Sequence, residues 1–124
     1  MTTDYTSLPG LAGVYLEDSY VTAIREGDGN LVFDLDAVLT PSHPAYRPPR
    51  RGEQYCYAAA SLNFLSPSGV EWIRRSTVRS TDADGLDDLG NIDTFAQSRN
   101  SYRLVGDWGE VVVHTEVEPQ LTIF

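Results

Sequence analysis

Apolar and polar residues alternate most regularly between Leu31 and Leu39. Every odd-numbered position in this run is apolar, whereas Asp34 and Asp36 occupy even-numbered positions. Because successive side chains of a β-strand point to opposite faces, a period of two residues indicates a strand. We therefore predict a strand with one face in the core and the other face mostly solvated.

A tight turn precedes this strand at Glu26–Asn30, which reads Glu-Gly-Asp-Gly-Asn. Asp-Gly tolerates the positive φ angles of a type I′ turn, and the twist of that turn matches paired strands. The predicted pairs across the hairpin are Glu26 with Leu31, Ile24 with Phe33 and Thr22 with Leu35. The same register places Arg25 one diagonal step from Asp34, as in an exposed cross-strand ion pair.

Four further stretches have strand character. Val14–Leu16 and Tyr20–Glu26 are separated by Glu17-Asp18-Ser19, which we interpret as a β-bulge or tight bend. Gln54–Leu65 alternates small or apolar residues with more polar ones, and Val70–Arg79 follows after a Ser-Pro-Ser-Gly turn. The residues of Gln54–Leu65 predicted to share a core face are Cys56, Ala58, Ala60, Leu62 and Phe64.

The C-terminal part of the chain predicts a β-meander. Gly90–Glu118 reads as three short strands, with a polar turn and then a Gly-Asp-Trp-Gly turn at Gly106–Gly109. His114 should face away from the valines beside it, and a last strand signal covers Leu121–Phe124. With no helical periodicity along the chain, we predict an all-β fold, an antiparallel β-sandwich or flattened barrel of seven to nine strands with little or no helix.

A loop rich in proline and arginine, residues 40–53, separates two of these strands; we call it the Pro/Arg arm. Thr40–Gly52 has four prolines in 13 residues, which exclude a helix and favour polyproline II. Two interpretations stay open: the arm crosses between sheets while its arginines pair with the chain's own acids, or it contacts a partner. Tyrosine and arginine are enriched at interface hot spots. The predicted partner-binding residues are Tyr46, Arg47, Arg50 and Arg51.

Residues 80–90 predict an acidic loop. Five aspartates fall within residues 82–93: Asp82, Asp84, Asp87, Asp88 and Asp93. Ca²⁺ takes several oxygen ligands from flexible loops, so the first four are candidate metal ligands. The EF-hand pattern is not met, because Leu86 and Asp87 occupy the places of the third ligand and of the glycine. Aspartate and glycine are also common in exposed turns, so a solvated loop is the alternative.

Composition narrows the classes of partner. The 124 residues suit a single domain, 1–124, in which the polar residues 1–8 are expected to be disordered. A formal net charge of −9 repels phosphate backbones, which argues against nucleic acid and favours a basic protein partner. The single cysteine, Cys56, excludes an intramolecular disulfide. Neither a signal peptide nor a transmembrane span is predicted, so we expect a cytoplasmic location and no membrane partner.

The sequence does not assemble a catalytic set. Asp34 and Asp36 have the spacing of paired acid–base carboxylates on one strand face, and His43 in the arm is a third candidate for hydrolase or isomerase chemistry. The same spacing arises on any solvated strand face. No nucleophile elbow, zinc-protease, phosphate-loop or dinucleotide motif is present. The tyrosines and tryptophans, which lie mostly on predicted strands, could line a ligand cleft or an interface.

Five stretches resemble a known group of proteins: Glu17–Val21, Leu31–Tyr46, Glu53–Tyr57, Gly90–Phe95 and Gly106–Val111. The chain resembles small all-β bacterial proteins, many from high-GC actinobacteria, that have no assigned activity. Some proteins of this size and style resemble immunity proteins of polymorphic toxins. The motifs are structural in type, so the resemblance implies no catalytic residue.

We therefore expect a non-enzymatic protein-binding domain. The most specific version of this hypothesis is a toxin-neutralising, immunity-type role. The alternative is a small-molecule or cation-binding β-domain that uses the acidic loop or an aromatic cleft. No cofactor is expected beyond a Ca²⁺ ion in that alternative. Exposed edge strands such as Leu121–Phe124 could also pair between copies, so a homodimer is a further expectation.

Overall fold

The computed structural model describes residues 3–4, 11, 13–27, 29–49, 51–52, 55–75, 80–81 and 87–124. Within these ranges eight strands have four or more residues, and no residue lies in an α-helix. The predicted all-β class and strand number are therefore confirmed. The strands are β1 (Thr3–Asp4), β2 (Val14–Gly27), β3 (Asn30–Leu39), β4 (Cys56–Phe64), β5 (Gly69–Arg75), β6 (Ser80–Thr81), β7 (Asp87–Asp88), β8 (Thr94–Gln97), β9 (Ser101–Gly106), β10 (Gly109–His114) and β11 (Gln120–Ile123).

Two antiparallel sheets form a sandwich-like arrangement. One has four strands in the order β11-β4-β3-β2, and the other has five in the order β1-β8-β9-β10-β5. The short strands β6 and β7 pair with each other. The predicted meander is confirmed as β8, β9 and β10, which pair consecutively. No helix in the described ranges is long and apolar enough to cross a membrane.

The hairpin of β2 and β3 follows the predicted register near its turn. Glu26 pairs with Leu31 and Ile24 with Phe33, as expected from the Asp-Gly turn. The third predicted pair, Thr22 with Leu35, is wrong, because the register shifts between Val21 and Ala23 and places Val21 opposite Leu35. A bulge inserts an extra residue that alternation alone does not show.

A second irregularity in β2 lies where the sequence predicts a bulge. Tyr15 pairs with Val38, whereas Tyr20 pairs with Asp36, so five steps along β2 face only two along β3. Ser19 is fully buried at this point; its hydroxyl donates to the Tyr15 carbonyl at 2.7 Å and accepts from the Val38 amide at 2.9 Å. The serine thus satisfies backbone groups that the interrupted ladder leaves unpaired.

The core lies between the two sheets. The predicted inner face of β3 is confirmed, since its alternate residues Leu31 to Leu39 are at most 3% exposed. Phe33 meets the Trp108 ring at a centroid distance of 5.1 Å and the Phe64 ring at 6.3 Å. Phe64 in turn meets Tyr102 at 5.7 Å. This aromatic row joins side chains of both sheets in one apolar cluster, which is the dominant stabilising element of such a fold.

A polar contact closes one side of the sandwich. The Trp72 indole N–H donates to a Glu26 carboxylate oxygen at 2.8 Å, and Arg75 contacts the same oxygen at 2.9 Å. The Arg75 guanidinium also lies 4.4 Å from the centre of the Trp72 ring. These contacts connect β5 of one sheet to β2 of the other.

The Pro/Arg arm does not cross between sheets, so the predicted crossover is wrong. It joins β3 to β4, which are neighbours in the four-stranded sheet and pair from Leu31 with Phe64 to Leu39 with Cys56. Neighbouring antiparallel strands can be joined by a short hairpin turn. The connection here is much longer, and its additional residues lie beside the sheet.

We expect Trp108→Ala to lower the free energy of unfolding by about 3–5 kcal/mol, because it removes the centre of the aromatic row and leaves a cavity. Trp108 is 3% exposed. Urea unfolding followed by circular dichroism measures the change. Ile73→Ala is the matched control, since Ile73 is 53% exposed and its truncation should change stability by no more than about 0.5 kcal/mol. Equal effects of the two substitutions would contradict this account of the core.

Candidate functional site

Four tyrosines meet on the outer face of the four-stranded sheet. Tyr15 and Tyr20 belong to β2, Tyr57 belongs to β4, and Tyr55 precedes β4. We call this group the tyrosine face. Tyr15 and Tyr57 both pair with Val38 of β3, so these three residues form one row across the sheet. Val38 is 2% exposed although it lies on the predicted solvated face, because that end of the sheet is covered.

The bulge in β2 is what brings Tyr15 and Tyr20 to one face. Positions that differ by an odd number point to opposite faces of a regular strand. Here the extra residues between Tyr15 and Tyr20 change the parity, and both side chains lie on the outer face. The Ser19 hydroxyl holds this arrangement.

The rings of the tyrosine face contact one another at defined angles. Tyr20 and Tyr57 are stacked with a centroid distance of 5.9 Å and an interplanar angle of 23°. Tyr55 stands nearly perpendicular to Tyr57, at 6.1 Å and 82°. Tyr15 is 44% exposed, whereas the other three are partly buried. The face is therefore partly open to solvent, with Tyr15 as its most exposed member.

Carboxylates border these rings. A hydrogen bond from the Tyr55 hydroxyl to Asp18, and the charge of that carboxylate, raise the pKa of Tyr55. Burial, a hydrogen bond with Tyr20 and the nearby charge of Asp36 raise the pKa of Tyr57 to about 12. The raised pKa values mean that Tyr55 and Tyr57 hold their protons more tightly than a solvated tyrosine does, and the site combines aromatic rings with negative charge.

The first part of the Pro/Arg arm is folded against the sheet. Two successive turns are closed by hydrogen bonds from the His43 amide to the Thr40 carbonyl at 2.9 Å and from the Tyr46 amide to the His43 carbonyl at 3.0 Å. The Thr40 amide also donates to the Gly13 carbonyl at 2.8 Å. These bonds fix the arm at the end of β3, next to the tyrosine face.

The predicted partner-binding residues of the arm have different surroundings. Tyr46 is half-buried and packs against the core, so its ring is not fully displayed. The Arg47 guanidinium donates to the Tyr57 carbonyl at 3.2 Å and thereby attaches the arm to β4. Arg51 is exposed, and Arg50 lies outside the described residues. Tyr46 and Arg47 are therefore close to the tyrosine face. The Arg47 guanidinium already donates hydrogen bonds to backbone carbonyls of Pro48 and Tyr57.

A small apolar cavity lies between the arm and the sheet. Its volume is about 220 Å³. Its walls include Tyr15 and Tyr55 of the tyrosine face, Tyr46 and Pro49 of the arm, and the buried thiol of Cys56. Pockets for drug-sized ligands have volumes of roughly 300–1,000 Å³, so this cavity is of the size of a single side chain or a very small molecule.

The acidic loop falls largely outside the described residues. This applies to Asp82 and Asp84, whereas Asp87 and Asp88 form β7, of which only the backbone is described. Asp93 is exposed, and its amide donates to the Val105 carbonyl at 2.8 Å. Among the described residues, no group of three His, Cys, Asp or Glu side chains could hold a metal ion.

The segment after the acidic loop is held by β2 and by the turn at Trp108. The Val21 amide donates to the Gly90 carbonyl, and the Leu89 amide donates to the Val21 carbonyl, both at 2.9 Å. The Trp108 indole donates to the Asn91 carbonyl at 3.0 Å. The exit of the loop is thus attached to the edge of β2.

The residues considered for catalysis are engaged in structural contacts. Asp34 receives two hydrogen bonds from the Arg25 guanidinium, at 2.7 and 2.8 Å, so the predicted cross-strand ion pair is confirmed. The His43 Nδ1 accepts from the Ala45 amide at 3.0 Å within the arm. Asp36 lies beside Tyr57 and belongs to the tyrosine face environment.

Sequence reasoning named the separate tyrosines but did not assemble the tyrosine face. Two signals point to it in retrospect. The predicted bulge at Glu17–Ser19 changes the parity between Tyr15 and Tyr20, and Tyr55 and Tyr57 alternate on the polar face of the following strand. The pattern of residues along the chain does not show that β4 pairs with β3, which brings the two pairs of tyrosines together.

A comparison of the chain with protein-family models, with curated proteins and with solved structures finds no match in any of the three. The function is therefore argued from the geometry of the site, since an all-β architecture by itself hosts many activities.

The raised pKa of Tyr57 makes a prediction for alkaline pH. Because the folded protein holds the proton more tightly than the unfolded chain, this contribution to stability is present below about pH 10 and is lost as pH rises towards the folded pKa of about 12. Tyr57→Phe cannot ionise at this position, so the stability of this variant should fall less than that of the unchanged protein between pH 9 and pH 12. Urea unfolding at several pH values, with tyrosinate absorbance as a second readout, measures this. Parallel losses in the two proteins would show that Tyr57 is not the group responsible.

Proposed function

We propose that this chain is a non-enzymatic protein-binding domain that holds a basic protein partner on the tyrosine face. The observation that carries the proposal is the assembly of Tyr15, Tyr20, Tyr55 and Tyr57 on one partly exposed surface beside the Pro/Arg arm. Tyrosine supplies a large contact area with few rotatable bonds, and it is enriched where interfaces concentrate their binding energy.

The charges at this surface favour a basic partner. Asp18 and Asp36 border the rings, and the whole chain has a formal net charge of −9. A lysine or arginine side chain placed over such a ring gains a cation–π interaction, worth about 0.5–2 kcal/mol depending on how far it is desolvated. The negative field of the chain also accelerates encounter with a positively charged protein.

A toxin-neutralising, immunity-type role is the most specific version of this proposal. Toxins that act on nucleic acid are expected to be basic, and a small acidic domain with an aromatic contact surface is suited to cover them. The expectation of this role came from five stretches, Glu17–Val21 and Leu31–Tyr46 among them, that together resemble small bacterial proteins without assigned activity; some proteins of that size and style resemble immunity proteins. Both stretches contribute to the tyrosine face or to the arm.

The test begins with the genes on either side of this chain's gene: a basic protein encoded there is the partner whose binding should be measured. We expect a complex detectable by isothermal titration calorimetry, and the double substitution Tyr15→Ala with Tyr55→Ala should weaken it at least about tenfold, or 1.4 kcal/mol, because it removes two ring surfaces. Asp18→Asn should reduce the association rate and its dependence on salt. Ile73→Ala on β5, which is 53% exposed, is the matched truncation away from the site and should leave the affinity unchanged.

Two results would count against the proposal. One is the absence of binding to the neighbouring gene product. The other is a complex that is unaffected by the tyrosine double substitution but weakened by Ile73→Ala, which would place the interface on the five-stranded sheet. Circular dichroism of each variant confirms that a loss of binding does not reflect unfolding.

The cavity beneath the arm supports a second candidate function, the binding of a small apolar molecule. Its walls are mostly apolar, and it opens beside Tyr15. If this candidate holds, p-cresol or indole should perturb the NMR signals of the cavity walls at millimolar concentration, and Cys56→Leu should abolish the perturbation by filling the space. Unchanged spectra with both probes would remove this candidate and leave the protein-binding proposal standing.

A further inference from the structure

The two sheets have four edge strands, and three of them are protected against pairing with another chain. β1 has only two residues. β5 carries a register shift beside Ile73 and the charged residues Arg74 and Arg75. β2 has two register shifts, and the backbone of Leu89 and Gly90 bonds to Val21 at its open side. Short strands, bulges, charges and covering segments are the devices by which proteins prevent edge pairing.

The fourth edge strand, β11, has four residues, and in the described part of the chain no bulge, charged side chain or covering segment protects it. It pairs with β4 without a register shift, from Gln120 with Asn63 to Ile123 with Ala60. Its residues Gln120–Ile123 include no charged side chain, although the chain as a whole is strongly acidic. In the described part of the chain, β4 is the only strand that pairs with β11.

The backbone of β11 presents hydrogen-bonding groups outward. The Phe124 amide donates to the Ala59 carbonyl of β4 at 2.9 Å. Because the amide and carbonyl groups of successive residues point to alternate sides of a strand, those of Gln120 and Thr122 also point to β4. The groups of Leu121 and Ile123 therefore point away from β4 and remain suited to another strand.

Apolar side chains flank this edge. Phe124 is 78% exposed and Val117 is 56% exposed, so two of the four large exposed hydrophobic residues of the described chain flank β11 in the sequence. Leu121 and Ile123 pack against the core but are only partly buried. An open strand edge with an apolar rim is a docking surface for a further strand.

We propose that β11 pairs antiparallel with β11 of a second copy of this chain and joins the two four-stranded sheets into one continuous sheet. The register is fixed by the requirement that core-facing residues meet core-facing residues. Centred on Thr122, it places Leu121 opposite Ile123 of the second copy and Gln120 opposite Phe124. Leu121 and Ile123 then exchange the backbone hydrogen bonds between the copies.

A second copy suits this edge because the segment is complementary to itself: in the proposed register the core-facing Leu121 meets the core-facing Ile123, and no side chain of Gln120–Phe124 carries a charge. Two chains of net charge −9 repel each other, yet the paired segment contains no charged side chain. In the proposed register, Glu118 of one copy lies beyond Phe124 of the other, so the two Glu118 side chains stand at opposite ends of the contact. The remaining repulsion between the copies is screened by salt, so the dimer should tighten as ionic strength rises. This inference does not depend on the tyrosine face.

The test uses paired charges at Thr122, which is exposed and faces itself across the two-fold axis in this register. Sedimentation equilibrium from low micromolar to millimolar concentration should show a concentration-dependent dimer for the unchanged chain. Thr122→Glu and Thr122→Lys should each be monomeric, because like charges meet in a close cross-strand pair. An equimolar mixture of the two variants should restore the dimer.

Thr22→Glu on the opposite, covered edge strand is the matched control and should dimerise like the unchanged chain. Ile123→Pro removes one outward amide while sparing the bonds to β4, and it should also be monomeric with unchanged circular dichroism. A chain that remains monomeric at all concentrations and salt levels overturns the proposal. So does a dimer that persists in both Thr122 variants and in Ile123→Pro.

Discussion

The structure depends on the burial of Trp108 between the two sheets. Its ring meets Phe33 of the four-stranded sheet at 5.1 Å and Trp72 of the five-stranded sheet at 6.1 Å, and its indole N–H bonds to the Asn91 carbonyl. A Cβ at Gly106 would collide with the indole and with that carbonyl, so glycine is required there. The turn that holds Trp108 therefore sets the approach of the sheets and anchors the segment leaving the acidic loop.

The tyrosine face is a consequence of the irregularity in β2 rather than of a regular strand. Ser19 replaces the missing ladder contacts with its own hydroxyl, and this allows the strand to change the face to which later residues point. Asp18 reaches Tyr55 from the same bulge. One local feature thus explains the joint position of Tyr15 and Tyr20 and the carboxylate beside Tyr55. Bulges commonly re-aim side chains in this way near functional surfaces.

The predictive value of the sequence differed between elements for physical reasons. The alternation in Leu31–Leu39 identified the buried face because period two is a local property, and the Asp-Gly turn fixed the pairing near Glu26 and Leu31. The predicted register failed at Thr22, because a bulge of a single residue does not change the hydrophobic pattern. The arm was expected to cross between sheets because of its length, but length does not determine which strands are neighbours.

The amino-acid sequence by itself determined the all-β class, the alternating core faces and the Arg25–Asp34 pair, since each follows from side-chain period and turn chemistry over a few residues. Only the tertiary structure decided that β4 lies beside β3, that Tyr55 and Tyr57 thereby join Tyr15 and Tyr20, and that β11 is left as an edge. Strand order depends on long-range packing between segments distant in sequence. For that reason the tyrosine face was not visible in the pattern of residues along the chain, and the edge position of Leu121–Phe124 was only an expectation until the strand order was known.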